Sequence, residues 1–73
     1  MPRVEWVEFE SAAVAAAGFD DREHVLEIVF RSGARYRYRL VSDRIWHEFR
    51  SAPSAGRYFA ERIRDHFPTE WIS

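Results

Sequence analysis

The run HVLEIVF-RSGA-RYRYRL, residues 24–40, decides what kind of fold this chain adopts. Two stretches with a period of two flank a short Gly-containing link, the pattern of an antiparallel hairpin and not of a helix. In the first arm Leu26, Ile28 and Phe30 share one face and Val25, Glu27 and Val29 the other, because successive strand side chains point to opposite sides. A three-residue loop, Ser32-Gly33-Ala34, predicts Phe30 opposite Tyr36, Ile28 opposite Tyr38 and Leu26 opposite Leu40, which gathers the apolar pairs on one face. The reverse face then carries Arg31 across from Arg35, Val29 from Arg37 and Glu27 from Arg39. A two-residue loop would set Phe30 against Arg35 and mix the faces. Ala34 stands where such a loop favours Gly.

Outward from this hairpin, VEWVEFE (4–10) alternates in part and reads as a short strand or extended arm. SAAVAAAGF (11–19) reads as one helical turn over 11–14 capped by Ser11, then a strand over 15–19 that runs into the turn cluster DDRE. Downstream, Ser42 offers an N-cap with Asp43 in the first turn, and Ile45, Trp46 and Phe49 form an apolar stripe at helical spacing. Pro53 stops this helix near Ser51. A second helix, capped by Ser54, is predicted to about His66, with Ala55, Phe59, Ile63 and Phe67 four apart on one line. Pro68 ends it. The expectation is a single α+β domain over 1–73: a strand or arm over 1–10, a core over 11–68, and a tail over 69–73 whose Trp71 folds back onto the core. The core is a small antiparallel meander of three to four strands with two C-terminal helices on one face.

At 73 residues the chain buries only about 60% of the surface it exposes when unfolded, so its stability margin is thin. The absence of cysteine removes disulfides and Cys-based zinc sites. No apolar run is long enough to span a membrane and the N-terminus lacks a signal-peptide core, so the expectation is a cytoplasmic protein with no membrane partner. His24, His47 and His66 lie on different elements, without metal-ligand spacing, and no nucleophile or phosphate-loop motif occurs. The expectation is a non-enzyme without metal or cofactor.

Charge is distributed unevenly. Residues 1–30 carry seven acids and two arginines, residues 31–64 nine arginines and three acids, within a net charge of -1. Every basic residue is Arg, whose forked donors suit phosphates, carboxylates and aromatic faces. Arg31, Arg35, Arg37 and Arg39 form a stripe on the face opposite the tyrosines, a candidate phosphate contact whose mark is binding that weakens steeply with salt. Glu5, Glu8 or Glu10 neutralise the stripe if the N-terminal arm lies beside it. Tyr36 and Tyr38 either point into the core or, where the helices leave the face open, stack a base. In PSAGRYF (53–59) the helix start, with Gly56 open to the backbone and Arg57 adding donors, is either an ordinary cap or an anion site.

From Ser11 to about Pro68 the sequence resembles the KTSC domain family. The matching residues are AAGFD (16–20), LEIVF with RSG, the central Tyr36-Arg37-Tyr38, APSAGRYF (52–59) and IR (63–64). Two positions depart from the expected pattern: Ala60 stands in place of Asn and Thr69 in place of an aromatic. A site that relies on that Asn amide would be lost. The resemblance implies a small bacterial domain, also found as a C-terminal extension of lysyl-tRNA synthetases, with RNA binding as its suggested role. On this reading Arg31, Arg35, Arg37, Arg39, Arg57 and Arg64 contact phosphates of tRNA or another structured RNA, and Tyr36, Tyr38 or Tyr58 stacks. The alternative is a protein-interaction or self-associating domain, argued from more large apolar residues, Trp6, Trp46 and Trp71 among them, than one small core hides.

Overall fold

Five strands paired in sequence order build one antiparallel sheet in the computed structural model, which describes residues 4–73. The strands are β1 (Val4–Glu8), β2 (Val14–Asp20), β3 (Val25–Phe30), β4 (Arg35–Tyr38) and β5 (Thr69–Trp71), with α1 (Asp43–Ser51) and α2 (Ala55–Tyr58) between β4 and β5. The first three positions of the predicted 1–10 arm lie outside the described residues. The architecture is α+β, with a helix layer on one face of the sheet, as the sequence pattern predicts; the strand count exceeds three to four because 69–71 pairs with β4.

The predicted 69–73 tail is therefore mostly strand. Beyond it, the Ile72 amide donates to the Arg35 carbonyl and the Arg35 amide to that of Ser73. Trp71 does not fold back onto the core: it sits opposite Tyr36 at the sheet edge, 67% exposed.

The hairpin that decided the fold closes one residue earlier than predicted. The Phe30 amide bonds to the Ala34 carbonyl and the Gly33 amide to that of Phe30, both at 2.9 Å, so the loop is Arg31-Ser32-Gly33. Gly33 takes φ +97° at its last position, a conformation that costs Gly little and Ala34 more. Register moves by two residues: Ile28 faces Tyr36, Leu26 faces Tyr38, Val29 faces Arg35 and Glu27 faces Arg37. A two-residue slip preserves the side-chain alternation, so both predicted faces survive although every predicted pair changes. Leu40, predicted opposite Leu26, leaves the sheet with φ 62° and is 74% exposed.

Ser11 does cap, without a helix behind it. Its Oγ accepts from the amides of Ala13 and Val14, and β2 starts there, with a register irregularity between Val14 and Ala16. Asp20 closes the β2–β3 turn by accepting from the amides of Arg22 and Glu23.

The core lies between sheet and helices. Val14, Leu26, Ile28, Val41, Trp46, Phe49 and Ile63 are fully buried, each aliphatic contributing roughly 1.5–3 kcal/mol relative to exposure. Ser42 Oγ accepts from the Ile45 amide and starts α1, whose Trp46 stacks on Phe19 at 5.5 Å between centroids. Ser54 caps α2 in the same way through the Arg57 amide. The second helix does not reach His66. From Phe59 it widens into a π-helical turn ending at Ile63, where the Arg64 amide reaches back to the Phe59 carbonyl. Asp65 then takes φ 64° and turns the chain away. Ala55, Phe59 and Ile63 face the core as their spacing predicts, while Phe67 packs beyond the helix end, half-buried.

Candidate binding faces

Strand alternation divides the predicted site residues between the two faces of the sheet. On the face away from the helices, one row of paired residues crosses all five strands: Trp6, Gly18, Glu27, Arg37 and Glu70. Arg35 stands on the next row toward the β3–β4 loop and Arg39 just past β4, so the predicted stripe is present as a surface. Its charges are paired. Arg35 holds Glu27 through Nε and Nη2, Arg37 lies 3.8 Å from Glu27 and 3.5 Å from Glu70, and Arg39 Nη2 donates to Glu70 at 2.9 Å. The neutralising acids are thus Glu27 and Glu70, not Glu5, Glu8 or Glu10, because β2 and β3 stand between β1 and β4, and Glu5 pairs with Arg50 instead. Arg31 is not across from Arg35; its guanidinium donates to the carbonyls of Phe9 and Ser11 and ties down the N-terminal segment.

Trp6 is the member of this face that the sequence did not single out as a site residue. Its indole is seated on Gly18: a Cβ there would lie 2.7 Å from two atoms of the ring. One face of the ring is thereby committed to the sheet while the residue stays 49% exposed. The hollow beside it, about 300 Å³, is floored by Gly18 and Val25 and bounded by Asp20, Glu23, Arg37 and Arg39. The available signal was the pairing of a Trp in an alternating strand with a Gly in the next, which marks a close approach.

On the helix-side face Tyr38 is 4% exposed and Tyr36 half-buried, so the core reading holds for the first and in part for the second. Burial pushes the Tyr38 phenol up to about 12, with the Tyr36 phenol adding to it. Arg64 reaches the same region, over the Phe59 ring at 5.6 Å. These three residues are brought together; the stripe lies behind them, across the sheet.

Arg57 and Tyr58 join neither group. Arg57 pairs with Glu61 one helical turn on. The Tyr58 hydroxyl donates to Glu48 at 2.7 Å, and its ring packs on Phe49 with the Arg62 guanidinium 6.0 Å from its centroid. Burial, then the Glu48 hydrogen bond, raises the Tyr58 phenol to about 12; the Glu48 carboxyl is lowered by the Tyr58 hydroxyl and then Arg44. Gly56 does not open the helix start to an anion: a Cβ there would meet Ala13 Cβ at 3.3 Å, so its role is close packing against the 11–13 segment.

A sequential five-stranded sheet with one helix-covered face, and paired arginines beside a seated indole on the other, defines a class of small α+β domain built around exposed sheet surface. The chain belongs to the KTSC domain family, whose model matches residues 10–67. It is 31% identical over 65 residues to an uncharacterised protein of Stutzerimonas stutzeri, covering 89% of this chain and 92% of that one. A protein of Tsukamurella paurometabola is 34% identical over 58 residues, covering 80% and 87%. The crystal structure of a KTSC domain protein from Yersinia pestis superposes with a TM-score of 0.92 at 31% identity, over 97% of this chain and 100% of that one. Among the described residues no helix is long and apolar enough to cross a membrane, and no three potential metal ligands gather.

Proposed function

We propose that this protein is a non-enzymatic binding module that takes single-stranded RNA on the open face of its sheet. The observation that carries the reading is Trp6, held flat on Gly18 with its outer face in solvent and Arg37 and Arg39 across the hollow. Sheet-based RNA readers stack unpaired bases on exposed aromatics, each worth about 1–3 kcal/mol. The ion pairs give the reading its character. Arg35, Arg37 and Arg39 share Glu27 and Glu70, so three cations meet two anions and little charge is left for phosphates. Binding is then led by stacking, and its salt dependence is shallow, on the order of one phosphate's slope, instead of the steep loss expected of a free stripe.

The test is fluorescence anisotropy with a labelled single-stranded RNA and with a tRNA, each at two salt concentrations; the family's expected tie to a lysyl-tRNA synthetase extension makes tRNA the second arm. Trp6→Ala is expected to weaken single-strand binding about 5- to 150-fold, and Arg37→Glu by less. No binding at low salt, or the same affinity without the indole, refutes the proposal. A second reading, a protein contact or self-association, is favoured by Leu40, an apolar side chain presented to solvent from a left-handed backbone. Sedimentation velocity showing an associating wild type and a monomeric Leu40→Asn variant would favour it.

A further inference from the structure

Between β4, β5 and the end of the π-helical turn lies a cleft of about 390 Å³, on the helix-side face, that the RNA site proposed on the open face does not use. It is lined by the rings of Phe30, Tyr36, Tyr38 and Phe59 together with Arg64, Asp65 and Thr69. The rings meet edge to face, Phe30 with Tyr36 at 5.9 Å, Phe30 with Phe59 at 5.1 Å and Tyr38 with Phe59 at 5.8 Å, which leaves flat apolar surface between them. The polar side chains are those of Tyr36, Tyr38, Arg64, Asp65 and Thr69, of which the Thr69 hydroxyl is already given to the Phe67 carbonyl. Among the described residues no carboxylate lies within ion-pair distance of Arg64, whereas the arginines of the open face are paired. Neither phenol oxygen is engaged by another described residue, and no buried side-chain polar atom lacks a partner, so both hydroxyls keep some accessible surface, on residues that line the cleft. The local backbone holds this arrangement: the π-helical turn and the left-handed Asp65 set Arg64 over Phe59 instead of continuing the helix. Such irregular turns recur at functional sites.

We infer that this cleft is a small-molecule site for a ligand that joins a planar apolar body to one anionic group, the body lying among the four rings and the anion meeting Arg64 and the tyrosine hydroxyls. A pocket lined by apolar rings with a few convergent donors is the usual form of such a site. A guanidinium held against a ring and not engaged in an ion pair gives an anion a charge-assisted partner, against one opposing carboxylate on the lining, Asp65. The anion has two chemical sources, an aryl carboxylate or a nucleoside monophosphate.

The experiment is a two-dimensional amide NMR titration of the full chain with benzoate, with its neutral counterpart benzamide, and with uridine 5′-monophosphate. Saturable shifts confined to Tyr36, Tyr38, Phe59, Arg64 and their neighbours are expected with at least one anion, and benzamide is expected to bind about tenfold or more weaker than benzoate. Saturation by benzoate alone assigns a carboxylate ligand; tighter saturation by the nucleotide assigns a phosphate one. Arg64→Gln, whose unchanged spectrum elsewhere shows an intact fold, removes the preference for the anion, and Tyr36→Phe weakens it. Trp6→Ala leaves all of this unchanged, which separates the cleft from the RNA reading. Absence of saturable shifts with both anions, equal binding of benzamide and benzoate, or an Arg64→Gln variant that binds as wild type overturns the inference.

Discussion

Gly18→Ala is predicted to destabilise the protein even though its backbone lies in a region open to alanine. The added Cβ would meet the Trp6 ring at 2.7 Å, closer than real Cβ contacts come, so the indole must swing off the sheet. A tryptophan buries about 200 Å², and Trp6 is 49% exposed, so roughly half of that, ~100 Å², returns to water. At ~25 cal/mol per Å² the loss is ~2.5 kcal/mol, an upper value because the unfolded chain already buries part of this surface. Replacing Gly by Ala inside a strand returns about 0.5–1 kcal/mol. The net is about 1–2 kcal/mol, a fall in Tm of roughly 5–15 °C for a domain of this size. A double-mutant cycle isolates the cause. In a Trp6→Ala background the same Gly18→Ala change meets no ring and is expected to stabilise by about 0.5–1 kcal/mol, giving a coupling of about 2 kcal/mol in denaturant melts. A coupling below about 0.5 kcal/mol, or a wild-type background stabilised by Gly18→Ala, refutes the seating of Trp6 and with it the platform on which the RNA reading rests.

Other outcomes follow from the same geometry. Gly33→Ala, at φ +97°, is expected to cost about 1 kcal/mol by thermal melt, whereas Leu40→Asn, at φ 62°, is expected to stabilise by up to about 1 kcal/mol. Glu5 is lowered by hydrogen bonds from Arg50 and then Trp46, and Glu48 by those from Tyr58 and then Arg44, so their stabilisation is complete above the usual carboxylate value of 4.5 and is lost as pH falls through their depressed folded values. The denaturation midpoint should decline across that acidic range, and Glu48→Gln should flatten the decline. At the alkaline end Tyr38 and Tyr58, raised to about 12, contribute stability present below 10 and lost as pH rises to 12; absorbance titration should show both ionising together with loss of the near-ultraviolet circular dichroism.

The faces of the sheet were legible in the sequence because alternation survives a register slip of two residues; the pairs were not, because the loop obeys the Gly33 backbone and not the apolar match of Leu26 with Leu40. The caps at Ser42 and Ser54 were legible, each being a local hydrogen bond with a side-chain signature. The end of the second helix was not: the π-helical turn has no composition signal in FAERI, and four-residue spacing alone carried the prediction past Ile63. Of the candidate site, the arginine stripe was found as a surface, but its neutralisation was not. Glu27 could be read as a neighbour, yet Glu70 reaches the stripe only through β5, a strand of three residues without an alternation long enough to register. The alanine-rich 11–19 segment misled at its start because Ser11 caps an isolated turn with the same hydrogen bond that opens a helix.

The late position of β5 has a kinetic consequence. Strands β1 to β4 pair with sequence neighbours, each across a short link, whereas Tyr38 and Thr69 meet only after both helices have been traversed. Closing that longer loop carries the larger entropic cost, so the outer edge of β4 is the last to be covered during folding and the first to be bared by local opening. Until residues 69–73 dock, the backbone groups of RYRY offer an unpaired template to any other extended chain, and the guanidinium groups of Arg37 and Arg39 have yet to acquire Glu70. For that interval the bared edge of β4 is both stickier and locally more positive than in the finished form, and its repelling arginines act as gatekeepers against misassembly there.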